Sequence, residues 1–259
     1  MKALEWLMGL GREEMRDRPG FMLVKYDVPP TLHDKFIEKW GRHDKDLRDV
    51  RGLDFYQLSK DVTDNTFFWS YTEWDTCSDM IKHWQSKEYQ DFHDWVDEND
   101  IMCEAFPLEA YGDAKREYRY DREGEAAAAA SRAAAAKDAD RLRRRGSKGF
   151  EDWDPREEPH HIATRFHVMP SMRNEFLDAF DKIQKRVAED EDENRFFVLR
   201  KCATLNHHYL VRGGWDSMDG FMDHMTSKKM INLREFAKDN DIEWYANHFR
   251  VLYTSERKE

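Results

Sequence analysis

The sequence predicts an α+β protein built from two copies of one βαββαβ unit, and three observations lead to this prediction. The pattern of residues 67–101 returns later in the chain, so that Trp74 falls on Trp215 and Asn99-Asp100-Ile101 on Asn240-Asp241-Ile242. Each copy alternates short aromatic or β-branched runs, typical of strands, with apolar residues at helical spacing. A hydrophobic content of 40%, with nine Trp and sixteen Phe, is enough for two small cores.

The first copy begins with a strand and a helix. Residues 21–28 are apolar enough for a strand, which Pro29-Pro30 ends. Thr31 is a residue type that caps helices, and the apolar residues Phe36, Ile37 and Trp40 follow at helical spacing. The pattern therefore predicts a helix that begins at Thr31.

The rest of the first copy predicts a hairpin, a helix and a closing strand. Residues 52–58 and 66–74 read as two strands joined by a polar turn. A helix is expected from Ser78, with a break at Ser86, and residues 101–111 form the last strand. Trp69 and Trp74 are expected to pack in the core.

The second copy repeats this order. Residues 161–168 predict a strand, Ser171 a helix cap, 196–204 and 207–215 a hairpin, 218–236 one helix, and 242–253 the closing strand. This is the ferredoxin-like arrangement, with helices on one face of an antiparallel sheet and the other face bare. Two bare apolar faces in one chain are expected to cover each other as an intramolecular pseudo-dimer.

Composition divides the chain into four segments. Residues 1–19 predict an N-terminal helix, 20–112 the first domain, 113–159 an alanine-rich charged linker, and 160–255 the second, degenerate domain. No apolar run approaches the roughly 20 residues of a membrane span.

The charge and the cysteines limit the partners and the compartment. A net charge of -11 and a pI near 5.5 argue against general binding to nucleic acid or to anionic membranes. Three scattered cysteines suit a reducing compartment, so the cytoplasm or an organellar stroma or matrix is expected. Phosphate-binding glycine motifs and common hydrolase motifs do not occur in the sequence, which disfavours nucleotide cofactors.

The segment WDTCSDMIKHWQSKEYQDFH, residues 74–93, resembles antibiotic-biosynthesis-monooxygenase-like domains of the dimeric α+β barrel superfamily. It is most similar to the Isd-type haem-degrading branch. That resemblance implies that His93 ligates haem iron, that His83 and Trp84 form the catalytic, ring-contacting wall, and that Lys25 stands near a cofactor-binding asparagine of the first strand. The second copy has Arg234, His224 and Arg165 at these places, so the site is expected in the first copy.

The resemblance therefore implies a haem-binding monooxygenase-like enzyme that degrades haem with O₂. Its ligand is expected to be a planar hydrophobic molecule such as haem. The pseudo-dimer leaves open a homodimer or a larger assembly. Two other functions stay open. One is a catalytically silent tandem barrel that acts as an accessory or scaffold subunit. The other is a cofactor-free oxygenase of a phenol or quinol, with Tyr26, Tyr56 or Tyr71 as substrate contacts.

Each candidate residue also has a structural interpretation. His93 fits an exposed helix position, and Trp84 fits a core position. The pairs His160-His161 and His207-His208 are expected to flank strand ends in water rather than bind a metal. The acidic run 189–193 is expected to be a solvated helix end.

Overall fold

The computed structural model describes residues 16–47, 50–110, 159–205 and 207–256. The described residues divide into two compact units, of which the first contains residues 16–47 and 50–109 and the second residues 159–205 and 207–250. Residues 251–256 belong to the first unit, where Leu252 and Tyr253 pack against its core. The predicted linker and most of the predicted N-terminal helix lie outside the described residues.

The first unit forms a four-stranded antiparallel sheet in the order β4-β1-β3-β2. A single 3-10 turn (Pro30–Leu32) follows the first strand. The elements in chain order are β1 (Gly20–Asp27), α1 (His33–Leu47), β2 (Leu53–Asp61), β3 (Phe67–Trp74), α2 (Cys77–Trp84), α3 (Lys87–Glu98) and β4 (Met102–Ala110).

The second unit has the same topology, with its sheet in the order β8-β5-β7-β6. Its first strand is likewise followed by a 3-10 turn (Pro170–Met172). The elements are β5 (His160–His167), α4 (Arg173–Asp190), β6 (Asn194–Cys202), β7 (His208–Trp215), α5 (Met218–Thr226), α6 (Lys228–Asp239) and β8 (Glu243–Glu256). The predicted fold class, two ferredoxin-like α+β units, is confirmed.

Serine and threonine caps fix where the helices begin and end. Thr76 accepts a hydrogen bond from the Asp79 amide, and Ser86 accepts one from the Tyr89 amide. The break predicted at Ser86 is therefore confirmed. Ser227 caps α6 in the same way, so the single helix predicted for residues 218–236 is wrong and two helices stand in its place.

The caps predicted at Thr31 and Ser171 are wrong. Both residues lie inside a 3-10 turn whose first residue is Pro30 or Pro170, and neither turn has a side-chain cap. Proline suits the first position of such a turn, because its fixed φ matches the turn and its missing N–H would be unpaired there.

Each core lies between the sheet and the helices. Alternate residues of β1, such as Met22, Val24 and Tyr26, pack with Phe36 and other helical residues. Ile162 and Phe166 of β5 pack with Phe176 and Phe180 in the second unit. No helix of the described ranges is long and apolar enough to cross a membrane.

Candidate active site

A cavity of about 120 Å³ lies inside the second unit, between its sheet and its helices. It is similar in size to the engineered protein cavity of about 150 Å³ that binds benzene, and it is far below the roughly 300–1,000 Å³ of sites for drug-sized ligands. Its walls are almost entirely apolar. The lining residues are Ile162, Thr164, Phe166, Phe180, Phe197, Val211, Phe221, Met225, Met230, Leu233, Arg234, Ala237, Trp244, Ala246 and His248.

The internal repeat explains why there is space here. In the first unit the matching positions of α2 and α3 carry the aromatic residues Trp84, Tyr89 and Phe92, which pack in the core. The second unit has Met225, Met230 and Leu233 in their places. These side chains are smaller or more flexible than the aromatic rings, and the volume that they leave contributes to the cavity.

A pair of histidines stands at one end of the cavity. His160 Nε2 and His248 Nδ1 lie 2.9 Å apart, and His248 lines the cavity. Burial, with a contribution from His248, lowers the pKa of His160 to about 4. His160 is therefore neutral near pH 7, and one ring donates the shared hydrogen bond while the other accepts it.

Arg234 of α6 also lines the cavity, and its side chain is half-buried. Its Nη2 donates to the Met225 carbonyl oxygen at 2.7 Å. A guanidinium carries five N–H donors, so this contact uses only part of its capacity.

The half-buried carboxylate of Glu191 joins a hydrogen-bond network in the second unit. Glu191 accepts hydrogen bonds from Trp215 Nε1 at 3.0 Å and Lys229 Nζ at 2.7 Å, and its Oε1 lies 2.9 Å from His224 Nδ1. Burial raises the pKa of Glu191, but these hydrogen bonds outweigh it and lower the pKa to about 2. The prediction that this acidic run is solvated is wrong for Glu191, whose partners come from β7, α5 and α6.

The first unit brings three of its predicted site residues together around Tyr89. The Tyr89 ring lies 4.3 Å from the His93 ring, 5.1 Å from the His83 ring and 5.4 Å from the Trp84 ring, measured between centroids. His83 also packs 5.0 Å from Trp74, which is buried as predicted. These side chains form a packed aromatic cluster.

His93 does not occupy an exposed helix position, contrary to the structural interpretation given for it from the sequence. Its Nε2 is buried and has no hydrogen-bond partner among the described residues. Burial lowers the pKa of His93 to about 4, against the opposing effect of Asp97 and Asp94. The imidazole is therefore neutral near pH 7.

Lys25 lies apart from this cluster. The neighbouring residue Tyr26 faces the helices and packs 6.4 Å from His93, so Lys25 points to the opposite face of β1. There its Nζ lies 3.3 Å from the centre of the Phe67 ring. The structure does not bring Lys25 to His93, because adjacent residues of a strand face opposite sides of the sheet.

The expectation that His160 and His161 lie in water is wrong, since both are buried. His161 packs on Phe196 at 5.2 Å, and His208 stacks on His167 at 4.8 Å. Within the described ranges no group of three or more His, Cys, Asp or Glu side chains is placed to hold a metal ion.

The antibiotic biosynthesis monooxygenase family matches the chain twice, at residues 19–95 and 159–235, which together make up more than half of it. The chain belongs to this family. Two antibiotic biosynthesis monooxygenase domains in tandem are consistent with the predicted pseudo-dimer. No curated protein sequence is significantly similar to the chain.

Solved structures share the fold over nearly the whole chain. A candidate monooxygenase from Fusobacterium nucleatum subsp. nucleatum is 11% identical with a TM-score of 0.67, covering 93% of this chain and 99% of its own. A candidate monooxygenase from Lactobacillus acidophilus is 8% identical with a TM-score of 0.64, covering 93% and 97%. An anthrone oxidase-like protein is 14% identical with a TM-score of 0.54, covering 94% and 95%. At these identities the likeness concerns the fold.

Proposed function

We propose that the second unit binds a small phenolic ring in its cavity and oxidises it with O₂ without a bound cofactor. The observation that carries this proposal is the apolar cavity of about 120 Å³ that ends at the His160–His248 pair. Apolar walls favour the ring and O₂ over water, and the histidine pair offers the one proton acceptor that such chemistry needs.

The histidine pair activates the phenol. The two rings share one hydrogen bond, between His160 Nε2 and His248 Nδ1, and the pair acts as the base. The phenolic proton moves to His248, and the resulting positive charge is shared with His160 through their hydrogen bond. The phenolate is far more electron-rich than the phenol and transfers electrons to O₂.

The substrate supplies all the electrons. With hydroquinone as the substrate, one O–H and an adjacent ring C–H both become C=O, so the product is a quinone that keeps the second hydroxyl group. One oxygen atom of O₂ enters the product, and the other leaves as water with the two displaced hydrogens. No external reductant is required, which agrees with a sequence that contains no nucleotide-binding glycine motif.

The tyrosines considered from the sequence lie elsewhere. Tyr26 and Tyr56 are buried in the core of the first unit, and the Tyr71 hydroxyl donates to Glu73 Oε1 at 2.8 Å. None of the three lines the cavity of the second unit. This proposal therefore places the oxygenase site in the second copy instead of the first.

Oxygen consumption with hydroquinone, in the absence of added haem or nucleotide, tests the proposal. We expect saturable O₂ uptake that His248→Gln reduces at least tenfold, because a general base typically contributes 10²–10⁴-fold. His167→Gln is the matched control, since His167 lies on β5 and stacks on His208 instead of facing the cavity. No uptake above that of the free quinol would overturn the proposal and favour the accessory-subunit function.

Haem degradation is a second candidate, which the unpartnered, neutral His93 Nε2 favours. A neutral imidazole nitrogen is a suitable ligand for haem iron. The other residues do not complete a haem site, because Lys25 lies on the opposite face of β1 and the His83–Trp84 wall is packed against Tyr89.

A haemin titration followed by absorbance separates the two candidates. Haem ligation by His93 predicts a saturable Soret shift that disappears in His93→Ala, persists in His167→Ala and bleaches when reductant and O₂ are added. If haemin uptake is the same in both variants, His93 is not a haem ligand. Quinol oxidation in the second unit does not depend on this result.

A further inference from the structure

The cavity of the second unit has one wall residue that faces solvent. Among the described residues that line the cavity, Trp244 is the only exposed one, with 39% of its surface accessible. The other lining residues are buried or half-buried. The Trp244 side chain therefore stands between the cavity and the solvent.

The strand register places the Trp244 side chain on the cavity side of the sheet. Trp244 lies opposite Phe166 of β5, and Ala246 and His248 follow it at alternate positions of β8. Paired residues and alternate residues of a strand share one face of the sheet, and all four of these residues line the cavity. The next residue, Tyr245, points to the opposite face.

The Trp244 indole is not part of the packed core. It does not belong to the hydrophobic cluster of the second unit, and within the described ranges it packs against no other aromatic ring. Trp215 of the same unit, by contrast, is fully buried and donates a hydrogen bond to Glu191. Truncation of Trp244 is therefore expected to change the cavity wall without removing core packing.

The internal repeat shows that the fold accepts a small side chain at this position. Trp244 pairs with Phe166 of β5, and at the same place in the first unit Cys103 pairs with Tyr26 of β1. The same strand pairing thus forms with a thiol in place of an indole. The bulky ring is a feature of the second unit, which is the unit that contains the cavity.

We propose that Trp244 determines the size of the ligand and restricts the cavity to phenols with a single ring. This inference rests on the proposed function and names the residue that sets the specificity of the same site. A cavity of about 120 Å³ is similar in size to one that holds benzene, so a second fused ring has to occupy the space that the indole fills. Because the walls are almost entirely apolar, the cavity selects its ligand by size.

Binding of phenol and of 2-naphthol, measured by calorimetry without O₂, tests the inference. Both ligands carry one hydroxyl group and differ by one ring. We expect the wild-type protein to bind phenol at least about tenfold more tightly than 2-naphthol. Trp244→Ala should reverse this order, because the second ring then buries apolar surface in the space that the indole leaves.

Two further variants make the test specific. Trp244→Cys introduces the residue type of the first copy and is expected to reverse the order as Trp244→Ala does. Tyr245→Ala is the matched control, since Tyr245 is also exposed but lies on the opposite face of β8, where its ring packs 5.8 Å from Arg165. This variant should keep the wild-type order.

The inference fails if the wild-type protein binds 2-naphthol as tightly as phenol, if it binds neither ligand, or if both Trp244 variants keep the wild-type order. The outcomes of the two proposals remain distinguishable. Size selection that depends on Trp244, without any O₂ uptake from hydroquinone, overturns only the oxidation. Oxidation of hydroquinone, together with equal binding of phenol and 2-naphthol, overturns only the role of Trp244.

Discussion

At the scale of single residues, Glu191 ties three elements of the second unit to one carboxylate. Trp215 and Lys229 donate to it, and His224 Nδ1 lies at hydrogen-bond distance. His224 is 1% exposed, so its imidazole depends on partners within the protein. In the first unit the equivalent His83 packs on rings instead, and its neighbour Trp74 donates to Thr72 Oγ1.

Glu191→Gln is expected to lower the free energy of unfolding by about 3 kcal/mol, because buried hydrogen bonds to a charged acceptor are lost. Urea unfolding at neutral pH measures the change. Glu189→Gln is the control, since that side chain is 57% exposed and its ion pair with Lys185 is long, at 3.8 Å. Equal midpoints for the two variants would show that the Glu191 network does not stabilise the fold.

At the scale of elements, one of the differences between the repeated strands β3 and β7 changes the hydrogen-bond partner of a tryptophan side chain. Thr72 of β3 accepts a hydrogen bond from Trp74 Nε1 at 2.9 Å. β7 has Gly213 at that position, where a Cβ atom would come within 2.6 Å of the Trp215 ring. The Trp215 indole therefore lies over the glycine, and its Nε1 reaches Glu191.

Gly213→Ala is expected to destabilise the protein by about 1–3 kcal/mol, because the added methyl group overlaps Trp215 and the ring must move. Thermal unfolding measures the effect. Thr72→Ala in the first unit is the comparison: it removes only a hydrogen-bond acceptor and is expected to cost about 1 kcal/mol. A Gly213→Ala variant as stable as the wild type would contradict the close packing of Trp215.

The types of the elements could be predicted from the sequence, because the periodicity of apolar residues is a local property. The candidate site could not be predicted in this way. The strand and helix patterns predicted the right order of elements in both copies, except that two helices replace the single helix predicted for residues 218–236, and Ser86 predicted the helix break of the first copy. Ser227 matches Ser86 in the repeat, so its break was also readable. The cavity depends on the sizes of side chains that come from four strands and three helices, which no local pattern reveals. In the sequence its only sign is a comparison of the two copies, in which smaller or more flexible side chains replace aromatic ones: Met225, Met230 and Leu233 stand in place of Trp84, Tyr89 and Phe92. His160 was expected to lie in water, because its partner His248 is distant in sequence.

At the scale of the whole molecule, buried histidines make stability depend on pH. Burial lowers the pKa of His43 to about 3 and of His83 and His160 to about 4, from 6.5. The unfolded chain takes up protons below pH 6.5 that the folded protein does not. Stability is therefore full above pH 6.5 and is lost as the pH falls towards 4.

Each of these three histidines is expected to lower the free energy of unfolding by about 1.4 kcal/mol for each pH unit below its unfolded pKa. Urea unfolding at about pH 7.5 and pH 5 measures the loss. His43→Phe preserves ring contacts with Trp40 and Phe92 and cannot bind a proton, so it is expected to reduce the pH dependence. A wild-type midpoint that does not change between the two pH values would contradict the burial of neutral imidazoles.

The cavity of the second unit is the proposed active site, and the internal repeat provides a matched pair of variants to test it. Ala246 lines the cavity and lies opposite Thr164, while Ala105 lies opposite Val24 at the same place in the first unit. O₂ uptake with hydroquinone is the measurement. The cavity site predicts that Ala246→Leu, which fills the space, abolishes uptake while Ala105→Leu retains it. Uptake that survives Ala246→Leu but is lost in Ala105→Leu would place the site in the first unit.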